Sequence, residues 1–180
     1  VMGKLEDWLQ TEWPELKVHL TSITEQFATI SINGPYASNL MQKICPDQKF
    51  SKKDFPHMSF KIMKIFDITC RVMRISFTGE MCYEINIPSS YANSLWKKCI
   101  ELGQEFNITP YGTEAMHVLR AEKGFIIVGQ ETDGSVTPVD LDMNWIISKK
   151  KYDFIGKRAL YRSDTIRSDR KQLVGILTNS

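Results

Sequence analysis

The stretch from Met58 to Pro88 reads MSFKIMKIFDITCRVMRISFTGEMCYEINIP and leaves few folds open. It holds three short runs rich in Ile, Val, Phe, Met and Tyr, each too brief for a helix and each bounded by turn residues. Two of these runs predict strands joined by a tight turn near Phe66-Asp67, and a third strand is expected over 82–87. Between the second and third runs stands Thr78-Gly79-Glu80. A bend there requires the glycine, whose backbone tolerates turn conformations. It does not require the carboxylate of Glu80.

The remaining pattern is mixed. Leu5, Trp8, Leu9 and Trp13 recur at helical spacing over 3–13, and Pro14 ends that helix. Alternation over 16–23 and 26–33 predicts two more strand-like segments. Gly34-Pro35 breaks the chain, and Pro35 can open a helix through PYASNLMQKI. Residues 46–57 are polar and proline-flanked, as in a loop. An amphipathic helix is expected over 90–106, with Ser90 as its cap. Another is expected over 111–124, with Thr113 as cap and Gly124 as its stop. Beyond Gly124 the sequence becomes turn-rich, and QLVGIL (172–177) predicts a last strand with no obvious partner. Together these features predict an α+β fold: an antiparallel sheet with helices packed on one face, and the start of a β-rich domain at the C-terminus. The domain limits expected are 1–145, then 146–180 as a linker and the first strand of a truncated barrel-like domain.

Composition narrows the function. The chain has 180 residues and a net charge of +2, too balanced for a dedicated nucleic-acid binder. No apolar run is long enough to cross a bilayer. VMGKLEDWLQ lacks the apolar core of a secretory signal, so a cytoplasmic setting is expected. In that setting Cys45, Cys70, Cys82 and Cys99 would be reduced and buried, and the Asn107-Ile108-Thr109 sequon is incidental. Val1 ahead of Met2 suggests a piece of a longer protein.

Few residues offer chemistry of their own. Glu114 and His117 share a helix face, as in half of a di-iron site, but no second copy exists. Without C-x-x-C pairs, a structural zinc site has no ligand set. No nucleophile motif and no glycine-rich phosphate loop appears. ETDGS (131–135) lacks calcium-loop spacing and reads as a turn. Lys149, Lys150 and Lys151 form a basic run, either a solvated loop or a contact for an anion. Glu80 and Arg120 remain. Arg120 interrupts an apolar helical stretch, and a buried arginine needs a partner. That partner could be Glu80, Glu114 or Glu122. Alternatively, Glu80 and Arg120 serve a ligand that carries both hydrogen-bond donors and an acid.

RISFTGEMCYEINIP resembles the R-x-G-Y/F-T-G-E-x-G-Y/F-E-I signature of the aminomethyltransferase, or glycine-cleavage T-protein, family. Cys82 stands where that signature has its second glycine. ITPYGTEAMHVLRAEKGFIIVGQETDG and SKKKYDFIGKR more closely resemble the C-terminal folate-binding region of sarcosine oxidase alpha subunits. The resemblance covers essentially the whole chain. It implies that Glu80 binds the pterin ring of tetrahydrofolate, with Thr78 and Tyr83 beside it. It implies that Arg120 lines the folate channel, with Tyr111 as a further contact. The family's catalytic Asp segment has no counterpart in 1–180, so no catalytic residue is expected here. NAD, FAD and FMN are expected only elsewhere in the complete enzyme. The implied partners are folate, the rest of the alpha subunit and the other subunits, with neither nucleic acid nor membrane. The complete enzyme would oxidise sarcosine and capture its one-carbon unit as 5,10-methylenetetrahydrofolate. The alternatives are a fragment of an aminomethyltransferase, or a non-catalytic folate-binding or subunit-docking module.

Overall fold

A computed structural model describes residues 1–177. It contains four strands, β1 (Phe27–Asn33), β2 (Phe60–Ile65), β3 (Ile68–Met73) and β4 (Cys82–Pro88). They form one antiparallel sheet in the order β1-β4-β3-β2. Its main helices are α1 (Met2–Thr11), α2 (Ala37–Ile44), α3 (Ala92–Gly103) and α4 (Thr113–Glu122). The fold is α+β, as the sequence pattern predicts.

The register explains the core. Ile30 pairs with Ile85, which pairs in turn with Val72, and Ile32 pairs with Tyr83. These side chains share one face and are buried. Ala37, Leu40, Met41 and Ile44 of α2 and Leu95 and Cys99 of α3 cover them. Each fully buried Leu or Ile contributes about 1.5–3 kcal/mol relative to an exposed one. The opposite face carries Thr29, Glu84, Asn86 and Arg71, and it leaves Phe60 and Ile62 exposed at the β2 edge.

Two close approaches fix the connections. The β2–β3 hairpin turns at Phe66 and Asp67, both with positive φ (49° and 65°). After α3, Asn107 takes φ 54° and Ile108 folds back onto Gly103. A Cβ at Gly103 would lie 2.7 Å from an Ile108 side-chain atom, so only glycine fits there.

Several expected elements differ. Residues 16–23 form no strand: they bond to no strand of the sheet, and the edge of β1 away from β4 is left free. Residues 172–177 form none either: alternation is not sufficient without a strand to bond, and they join the protein through Leu173 N–H to Asp140 C=O at 2.8 Å. The last three residues of the expected 146–180 segment lie outside the described residues. Ser90 lies in a short 3-10 turn and does not cap α3, which Tyr91 precedes without a side-chain cap. Thr113 is the first residue of α4, and Gly124 ends its last turn at φ 72°.

The chain forms two compact units, Val1–Met116 and His117–Ser180, with the division inside α4 and not near residue 145. In the second unit Asp140 organises the turns. It accepts hydrogen bonds from the Thr137 N–H and hydroxyl at 2.7 and 2.9 Å, and Arg170 grips it through both arms of its guanidinium. Arg170 and these donors hold the Asp140 carboxyl well below its usual range.

Candidate functional site

The site begins where β1 ends. Gly79, at φ 79°, turns the β3–β4 connection so that Glu80 sits half-buried at its bend. Two hydrogen bonds tie this loop to β1, one on each side of Glu80. Thr78 Oγ1 donates to Asn33 Oδ1 at 3.2 Å, and the Gly34 N–H donates to the Met81 carbonyl at 2.9 Å. The same Asn33 donates through Nδ2 to the Tyr111 hydroxyl. Asn33 therefore joins Thr78 to Tyr111, bringing together two residues far apart in sequence.

Beside this junction a cleft of about 610 Å3 runs along the free edge of β1. Thr29, Ser31 and Asn33 line it, with Tyr36, Phe106 and Tyr111. Its size lies within the roughly 300–1,000 Å3 of small-molecule sites. Pro35 also lines it, so the cleft reaches residues on both sides of the Gly34 anchor of the Glu80 loop. Burial, with Cys82 and then Glu84 nearby, pushes the Tyr111 phenol above its ordinary pKa despite the opposing hydrogen bond from Asn33. It stays a neutral hydroxyl whose proton can go to an acceptor. Burial also raises the pKa of Glu84, which pairs with Ser31 across the sheet. Desolvation and the Glu84 charge push the Cys82 thiol up to about 12, so it is no nucleophile.

Tyr83 requires a correction. Its ring is fully buried on the core face, edge-on to Phe50 at 5.5 Å and against Phe55 at 5.6 Å. Its hydroxyl donates to the Phe50 carbonyl at 2.9 Å and lies 3.0 Å from Ser38 Oγ. No ligand ring can stack on it. Thr78 is also buried, and its hydroxyl is spent on Asn33.

Arg120 belongs to the second unit, and its acid partner is none of the three expected. Its Nη1 lies 2.6 Å from Glu131 Oε1 and donates to the Phe125 carbonyl at 3.1 Å. Glu131 also accepts the Ile127 N–H at 2.7 Å. That bond first, and Arg120 second, lower its pKa. ETDGS thus supplies a structural carboxylate as well as a turn. Sequence reasoning passed over Asn33, Ser38 and Glu131. Only Asn33 carried a signal, as an amide closing a strand just before Gly34-Pro35.

Among the described residues no three His, Cys, Asp or Glu side chains are grouped to hold a metal, and no helix is long and apolar enough to cross a membrane.

The sequence that builds this sheet and its Thr-Gly-Glu loop matches a known family. Residues 2–151 fit the model of the GCVT N-terminal domain, and the chain belongs to that family. Over 178 residues it is 54% identical to the sarcosine oxidase subunit alpha of Corynebacterium sp. (strain P-1). It is 40% identical over 179 residues to that of Rhizobium meliloti (strain 1021). Each match takes in 98% of this chain and only 18% of the relative. The aminomethyltransferase of Caldanaerobacter subterraneus subsp. tengcongensis is 32% identical over 168 residues, 93% of this chain and 44% of that protein.

Proposed function

We propose that the chain is part of the tetrahydrofolate-binding module of a sarcosine oxidase alpha subunit. Tetrahydrofolate supplies the nitrogens that take up the one-carbon unit released from sarcosine, giving 5,10-methylenetetrahydrofolate. Glu80 accepts two N–H groups from the flat amino edge of the pterin, an arrangement suited to a single carboxylate. Tyr111 donates its hydroxyl proton at the cleft. Thr78 and Asn33 position the loop, Tyr83 anchors β4 from within the core, and Arg120 with Glu131 keeps the shape of the second unit. Capture of an imine calls for proximity and electrostatic support, not a protein nucleophile.

The observation that carries this reading is the double tether around Glu80, beside a cleft of ligand size. The long identity to sarcosine oxidase alpha subunits favours them over the aminomethyltransferases. The redox steps, with NAD, FAD and FMN, belong to other parts of a cytoplasmic multi-subunit enzyme, and this segment alone is inactive. Titration of the 15N-labelled chain with tetrahydrofolate tests the placement. Amide shifts at Asn33, Gly79, Glu80 and Tyr111 are expected. Shifts that avoid all four would overturn it.

A further inference from the structure

The second unit has a concave site of its own. Lys149, Lys151 and Lys157 line a cavity of about 520 Å3, with Ser148 and Tyr161 as hydroxyl donors and Phe154 on its apolar side. Between Asn144 and Tyr161 five basic residues stand against one acid, Asp153. That carboxylate is turned onto its own backbone, accepting the Phe154 N–H at 2.9 Å. Lys157 donates to the Tyr152 carbonyl, and its Nζ lies 5.3 Å from the centroid of the Tyr152 ring. Among the described residues neither Lys149 nor Lys151 forms an ion pair. Elsewhere in this unit Arg120 is matched by Glu131 and Arg170 by Asp140.

Like charges on three lysines that line one concavity repel each other. An anion with several closely spaced negative oxygens removes it. An extended nucleic acid needs a long basic face, whereas this positive charge is confined to one small cavity. We propose that the cavity binds a small multivalent anion, an oligocarboxylate or a phosphate, through Lys149 and Lys151, with Lys157, Ser148 and Tyr161 completing the donor set.

The test is calorimetric titration of the chain with γ-linked triglutamate and, separately, with inorganic pyrophosphate, each against sodium chloride of equal ionic strength. Neither probe contains a pterin, so the result is independent of the role given to Glu80. Saturable binding of triglutamate assigns the site to carboxylates, and of pyrophosphate to phosphates. The exposed pair Lys149→Gln/Lys151→Gln should weaken it by at least about tenfold, the scale of one lost charged hydrogen bond. Lys52→Gln/Lys53→Gln, an equal charge change at exposed positions elsewhere, should leave it within about twofold. No saturable heat with either probe, or equal weakening by both pairs, overturns the proposal.

Discussion

Thr78 Oγ1 donates to Asn33 Oδ1 across the end of the sheet, joining the Glu80 loop to the edge strand that lines the cleft. Thr78 is almost fully buried, so its hydroxyl has little access to water. Replacing Thr78 by Val keeps the shape and removes the bond. The expected cost is about 1 kcal/mol in chemical denaturation. Amide exchange at Gly79 and Glu80 should quicken, while exchange in β2 and β3 stays unchanged.

Tyr83→Phe should behave differently. It removes a hydroxyl bonded to Phe50 and close to Ser38 while leaving the packed ring in place. A loss of about 1–2 kcal/mol is expected, because the Phe50 carbonyl keeps its burial and loses its donor. Affinity for tetrahydrofolate should not change, since the ring faces the core. A large loss of affinity with unchanged stability would return Tyr83 to the ligand.

The hairpin between β2 and β3 offers a gain. Phe66 and Asp67 both hold positive φ, where a Cβ costs about 1–2 kcal/mol. Asp67→Gly should raise stability by about 0.5–1 kcal/mol, read as a higher denaturation midpoint.

How much of this could be read from the sequence varies with range. Short apolar runs revealed β2, β3 and β4. Strand periodicity puts Tyr83 on the side of Ile85 and Ile87, a signal obscured by the family signature, which pointed Tyr83 to the ligand. The pairing of Ile30 with Ile85 joins distant segments, and no local pattern specifies it. Residues 16–23 alternate as well as β1 does and still form no strand, because alternation alone does not bring a segment to an open sheet edge. Asn33 and Glu131 act through partners that only the folded chain brings within reach.

Alkali should weaken the fold. Burial pushes Cys70 and Cys99 up to about 11 and Cys82 up to about 12, from 9.0. The unfolded chain releases these protons near pH 9, whereas the native state retains them. The native state is unaffected below that point and loses stability as the pH rises from 9 toward 12. Denaturation midpoints measured across this window should fall. At pH 8 a thiol reagent should label none of the four cysteines quickly in native protein and all of them in denaturant, since each is buried.

Glu80 is the centre of the account. Calorimetry with tetrahydrofolate on the chain and on Glu80→Gln tests it directly, with thermal melts to show that both are folded. The account predicts saturable binding that Glu80→Gln weakens by at least about tenfold, the scale of one charged hydrogen bond. Equal affinity in the two proteins would contradict it.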